Sequence, residues 1–284
     1  MKNTFITMLA FAFALTSCEF DEGFEEMNVN PNAAAQVGVA NKVAATILYT
    51  SGGRYENWRN SLIYNSTLIQ HYATTAGYWS GDKYYRVDSY ATSLWDRYYP
   101  SAVKGIEDVI DQLGKEGNSG TEMGIARILR VVIYHRLTDT HGDIPYSEAG
   151  KGYISGTLKP KYDAQQDIYM DMLAELEAAV AQISGDSSML GNADSIFSGN
   201  ATKWKAFGNS MMLRLAMRMT KADAASAQAW AVKAISGGTM TSNDHLAAVT
   251  HTDGPEGINK NGHGEVFDVD SQMRMSATFG AHLA

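Results

Sequence analysis

Residues 71 to 90 gather the side chains of this chain best suited to holding a polar ring. His71, Tyr72, Tyr78, Trp79, Asp82, Lys83, Tyr84, Tyr85, Arg86 and Asp88 crowd around Gly77 and Gly81. A sugar presents apolar C–H faces edged by hydroxyls, so its sites combine flat aromatic rings with Asp, Asn, Gln and Arg groups. The glycines place the stretch on a loop, where an aromatic ring is harder to explain as core than on a helix stripe. Tyr78 and Trp79, beside Gly77, are therefore predicted to be stacking platforms, with Tyr84, Tyr85 and Arg86 as the next candidates. The same composition also fits a face that packs against another part of the protein or a partner. Gly254 to Gly264, with Asn259, Asn261 and His263, is a further candidate rim without a readable motif.

Bond-making chemistry finds less support. Asp139, His141 and Asp143 alternate, with His135 nearby, but their spacing matches neither the His-Glu-x-x-His helix nor a calcium loop. A Gly142-Asp143-Ile144-Pro145 turn explains the polar residues as helix-end caps, so no metal is expected there. The sequence holds no Gly-x-Ser-x-Gly elbow, no phosphate-cradling Gly-x-x-x-x-Gly-Lys loop and no dinucleotide glycine fingerprint. Carboxylates are too numerous for a glycosidase pair to be excluded by counting, yet no two stand out. The expectation is a binding protein with no catalytic residues and no cofactor.

The only cysteine, Cys18, ends a short apolar run in Leu15-Thr16-Ser17-Cys18. Met1-Lys2 supplies a charged start, Phe5 to Leu15 an apolar stretch too short to span a bilayer, and Thr16-Ser17 small residues for cleavage. The arrangement resembles the bacterial lipobox: residues 1–17 read as a signal peptide and Cys18 as the acylated anchor. With that cysteine used, disulfides are excluded. Glu19, Asp21, Glu22, Glu25 and Glu26, then Asn28-Val29-Asn30-Pro31-Asn32, make 18–40 a solvated tether, and Ala33 stands where a calcium loop needs glycine. The formal charge of −8 removes nucleic acid as a partner, since that interaction needs a basic face to neutralise phosphates.

The elements that must position the loop are helical. With 45% hydrophobic and 19% charged residues, the remainder, 41–284, can bury one large core or two smaller ones. Leu94, Trp95, Tyr98, Tyr99, Ala102, Val103, Ile106, Val109, Ile110 and Leu113 recur at helical steps, predicting a long helix kinked or restarted at Pro100. After a turn over Gly114–Gly120, a helix from Thr121 is apolar on nearly every side and should be central. Asp163 with Gln166 reads as a capping box for a third helix lined by Ile168, Met172, Leu176, Ala179, Val180 and Ile183. A fourth begins at Asn200 with the stripe Trp204, Phe207, Met211, Leu215 and Met219, and a fifth follows Asp223 and stops at Gly237-Gly238. Helix pairs joined by unequal polar loops predict a mainly all-α fold, a superhelical array like tetratricopeptide repeats.

The segment Arg136-Leu137-Thr138-Asp139-Thr140-His141-Gly142-Asp143-Ile144-Pro145-Tyr146-Ser147-Glu148-Ala149 resembles the SusD/RagB family. So do Cys18, the Phe24-Glu25-Glu26-Met27-Asn28 head with Asn30-Pro31-Asn32, the Trp95–Tyr99 helix and the stretch Lys203–Met217. The resemblance implies a lipoprotein of the outer membrane that faces the cell exterior, captures an oligosaccharide or peptide ligand, and delivers it to a SusC-like, TonB-dependent transporter by a lid-like movement. Family members run to about twice a single-domain length, so the chain is expected to be truncated at its C-terminal end. Two other readings stay open from the residues: a surface scaffold that binds only protein, and a surface glycoside hydrolase.

Overall fold

The apolar stripes become the seams of a helical array in the computed structural model, which describes residues 37–253 and 259–283. Cys18, the tether up to residue 36 and residues 254–258 lie outside the described residues. The first helix among the described residues, α1 (Val39–Ser51), turns Val43, Thr46 and Ile47 inward. A single turn, α2 (Arg54–Glu56), runs directly into a π-helical segment, Asn57–Ser66. After the aromatic loop come α3 (Asp88–Ala91) and α4 (Ser93–Tyr98). The chain then passes through a second π-helical segment, Tyr99–Val103, into α5 (Lys104–Lys115). The interruption expected at Pro100 is thus a widened turn rather than a break: proline has no N–H for the preceding carbonyl, and its ring pushes that carbonyl aside.

Central to the array is α6 (Thr121–His141), where Ile125, Ile128, Leu129, Val131, Ile133, Tyr134 and Leu137 are all fully buried. A one-turn helix, α7 (Gly152–Ser155), precedes α8 (Gln165–Gln182), α9 (Ala201–Arg218) and α10 (Ala224–Ser236). Packing is serial: α5 on α1, α6 on α5, α8 on α6, α9 on α8 and α10 on α9. Each helix buries one stripe against the element before it and another against the one after, which is the logic of a repeat array. Gly124 permits the tightest approach between α6 and α8, because a Cβ there would stand 2.7 Å from the carbonyl oxygen of Ala179.

Caps read from the sequence hold at α9 and α10, where Asn200 accepts the N–H of Lys203 at 2.9 Å and Asp223 that of Ser226 at 3.0 Å. The capping box at Asp163 does not form. The N-cap of α8 is Ala164, and Asp143 accepts the N–H of Gln165 at 2.8 Å instead. Asp163 is engaged elsewhere: it accepts the N–H groups of Tyr146 (3.3 Å) and Ser147 (2.7 Å). Those contacts close a two-stranded ladder of β2 (Ile144–Pro145) with β3 (Tyr162–Asp163). Beneath it Arg130 donates to Glu107 and to Tyr146, each at 2.8 Å, while Tyr134 donates to Glu107 at 3.0 Å. Burial disfavours the Arg130 charge, but Glu107 and the tyrosines outweigh it and hold the guanidinium protonated.

A smaller cluster of Leu62, Ile63, Tyr64, Trp79 and Val266 sits apart from the main core. It is closed by the antiparallel pairing of β1 (Tyr72–Thr74) with β4 (Met273–Met275) and by α11 (Gly262–Val269), while α12 (Ala277–Leu283) meets His71 through Phe279, ring centroids 4.8 Å apart. Chain from the far end of the sequence thereby braces the aromatic loop.

Candidate ligand-binding site

The loop between β1 and α3 is seated on the first π-helical segment through Gly81. A Cβ at that position would fall 2.1 Å from Thr67 Oγ1 and 2.2 Å from the Ile63 carbonyl oxygen, so only glycine lets the backbones meet this closely. One turn of 3₁₀ helix, Gly81–Lys83, follows; it ends at Tyr84, which adopts a left-handed conformation (φ 53°). The N–H of Tyr85 returns to the Ser80 carbonyl at 3.1 Å, and Lys83 Nζ donates to the Trp79 carbonyl at 2.7 Å. Tyr64, buried below, donates its hydroxyl to the Tyr85 carbonyl at 3.1 Å and accepts the N–H of Val87. These bonds close the turn on itself and leave little backbone to be ordered by a ligand.

The five residues singled out from the sequence divide on this scaffold. Tyr84 and Tyr85 are 67% and 66% exposed, and Tyr78 is 49% exposed. Arg86 also faces solvent, paired with Asp88 at 2.5 Å. Trp79 does not fit the expectation of a stacking platform, because it is 0% exposed. Its ring fills the smaller cluster and its indole N–H donates to Asp270 at 2.8 Å. The physical reason is burial from a distance: α11 and Asp270 cover a ring that sequence-local reasoning leaves open. Tyr78 donates its hydroxyl to the same carboxylate and meets Trp58 edge-on at 6.4 Å. Burial first, and the Asp270 carboxylate second, push the Tyr78 phenol up, so it remains a neutral donor at physiological pH.

Other candidates have structural roles. Asn261 caps α11 by accepting the N–H of Gly264 at 2.9 Å. His263 is half-buried, and burial, with Arg136 nearby, holds its pKa down. Asp139 lies 3.0 Å from His135 and 2.9 Å from Arg218. His141 packs edge-on against Trp95 at 5.4 Å, and Asp143 caps α8. Among the described residues no three His, Cys, Asp or Glu side chains converge as a metal site would require.

One feature escaped the sequence reading. A cleft of about 670 Å³ opens between α1, α2 and α4, lined by Tyr49, Tyr55, Glu56, Asp96, Arg97 and Ser101 among others. Its signal was present: Tyr49 and Tyr55 flank Gly52-Gly53, the same aromatic-beside-glycine cue that drew attention to Gly77.

Fold and site define a serial helical array whose inter-helix loops carry an exposed, braced tyrosine surface. The chain belongs to the SusD-like family described as "Starch-binding associating with outer membrane", whose profile matches residues 31–282. It is similar to the solved structure of a chitin-binding protein, with 33% identity and a TM-score of 0.78, covering 87% of this chain and 52% of that one. A Bacteroidetes SusD-like protein matches at 27% identity and TM-score 0.76, covering 87% and 48%. A chitin-binding SusD homolog from Flavobacterium johnsoniae matches at 26% and 0.71, covering 84% and 50%. The chain spans about half the length of these structures. No curated protein matches it. Among the described residues no helix is long and apolar enough to cross a membrane.

Proposed function

We propose that this protein binds glycans at the outer-membrane surface, holding them against the tyrosines of the 71–90 loop. The observation that carries the reading is the braced turn that keeps Tyr84 and Tyr85 two-thirds exposed while Trp79 and Asp270 fix the backbone below them. Rings held this way offer stacking faces at low ordering cost, with polar neighbours in Tyr78, Arg86 and Gln70, whose Nε2 donates to the Tyr84 hydroxyl at 3.4 Å. The family description and two similar structures described as chitin-binding support a saccharide as the ligand. Binding proceeds without bond making.

In the full proposal, Cys18 carries the lipid anchor and the helical array is the rigid face that docks on a SusC-like, TonB-dependent transporter, to which the glycan passes. Two experiments test these parts separately. Purified protein run through native gels containing glycol chitin or soluble starch is expected to be retarded by one of them, and the polysaccharide to keep its length. Shortened polysaccharide would point to a hydrolase, and unretarded migration in every gel would refute glycan binding. Solubilised outer membranes from cells carrying tagged wild type are expected to yield a stoichiometric β-barrel transporter, and those carrying Cys18→Ala to yield less. Anchored, intact protein without such a partner would refute the transporter role and favour the scaffold.

A further inference from the structure

The cleft between α1, α2 and α4 has the size and lining of a saccharide site in its own right. Its volume of about 670 Å³ falls within the roughly 300–1,000 Å³ of small-molecule sites. Tyr49 presents a ring 41% exposed at its edge, and Tyr55 lies further in. Asp96, Arg97, Glu56, Glu265 and Ser101 bring donors and acceptors of both charge signs to the same space. With the carboxylates of Glu56, Asp96 and Glu265 against the guanidinium groups of Arg54 and Arg97, the wall is slightly acidic and disfavours an anion, but it matches hydroxyls, which donate to carboxylates and accept from guanidinium groups. Glu56 is itself fixed, its Oε1 accepting the N–H of Gly53 at 2.6 Å.

Two further observations set this cleft apart from an ordinary surface groove. Both π-helical segments border it: Asn57–Ser66 begins directly after Glu56, and Pro100 and Ser101 lie within Tyr99–Val103. Widened turns of this kind recur at functional sites, where they re-aim side chains at a cost in helix regularity. The cleft is also joined to the aromatic loop by a ladder of rings and guanidinium groups. Arg97 stands 4.8 Å over the Tyr55 ring, Arg59 stands 4.0 Å over the same ring and 5.6 Å over Trp58, and Trp58 meets Tyr78 at 6.4 Å.

We infer that the cleft is a second saccharide station, for neutral rather than anionic sugar units, occupied by the same glycan that lies across Tyr84 and Tyr85. The inference rests on the glycan reading of the loop. The ladder runs from Tyr55 in the cleft to Tyr78 on the aromatic loop in steps of 6.4 Å or less, the path a single oligosaccharide of several rings would follow. The two stations then act as linked sites, and a long ligand gains affinity over a short one without a stronger contact at either.

Calorimetric titration with chitohexaose, chitobiose, maltoheptaose and maltose separates the two readings. In the preferred series, Tyr49→Ala/Asp96→Asn weakens the long oligosaccharide about thirtyfold or more, the loss of one stacking face and one charged hydrogen bond. It also shrinks the advantage of the long ligand over the short one, which a purely structural role would not do. Both side chains are exposed, and Asp96→Asn alone, isosteric, is the control if the double variant melts early. Wild-type affinity of these variants at every length, with Tyr84→Ala/Tyr85→Ala still impaired, overturns the second station and leaves the loop reading intact. Loss in the cleft variants alone refutes the loop and with it the pair of linked stations, leaving the cleft as a single site. Absence of binding by wild type to all four sugars overturns both.

Discussion

Replacing Trp79 with alanine distinguishes a core ring from a ligand platform, and the structure sets the expected size of the effect. The side chain is 0% exposed, packed among Leu62, Ile63, Tyr64 and Val266. Truncating a buried Trp costs about 3–5 kcal/mol in lost burial and cavity. The Asp270 carboxylate, 7% exposed, would also lose the indole N–H at 2.8 Å and keep the Tyr78 hydroxyl and the Gln272 N–H, adding about 1 kcal/mol. A domain of this size loses roughly 2–4 °C of melting temperature per kcal/mol. Trp79→Ala should therefore melt about 8–24 °C below wild type, followed by circular dichroism. Trp79→Phe, which keeps a ring but drops the N–H, should fall between the two. A Trp79→Ala protein that melts with wild type yet no longer binds glycan would refute the buried placement and restore Trp79 as a platform.

Gly81→Ala should cost about 1–3 kcal/mol, because its Cβ meets the Ile63 carbonyl oxygen as well as Thr67; a melt equal to wild type would mean the loop is not seated there. Glu107→Ala leaves the buried Arg130 charge without a carboxylate, with the Tyr146 hydroxyl still accepting from it, and should destabilise by about 3–5 kcal/mol, measured by urea unfolding. Tyr84→Ala should alter stability by less than about 0.5 kcal/mol, as expected for an exposed side chain. Stability should fall on acidification in two stages. Burial holds His141 and His263 below the usual histidine range. Asp139, Asp163 and Glu122 are held below the carboxylate range, each against the cost of burial, chiefly by His135, the Ser147 N–H and the Met189 N–H respectively. In all five groups the unfolded chain binds protons more readily, so stability is full above about pH 6.5, declines as the histidines charge, and drops again below about pH 4. A melting temperature constant from pH 7 to pH 3 would contradict this.

What the sequence made legible was local. Asn200 and Asp223 are caps whose donors lie three residues ahead, and Pro100 carries its own disruption of the helix. The α6 stripe is apolar on so many sides that central burial follows from it alone. Errors arose where a partner is remote. Trp79 is covered by Asp270, 191 residues away, and α8 is capped by Asp143, 22 residues before it. The same remoteness hid the cleft, which Tyr55, Arg97 and Glu265 line from three separate parts of the chain. Composition could mark the 71–90 loop as aromatic and polar, but only the fold decides which ring turns inward.

The central claim is that Tyr84 and Tyr85 hold a glycan, and affinity electrophoresis of wild type beside Tyr84→Ala/Tyr85→Ala tests it most directly. In gels containing glycol chitin or soluble starch, wild type should be retarded and the variant should be retarded far less, with both proteins melting alike. Equal retardation of the two would contradict the claim.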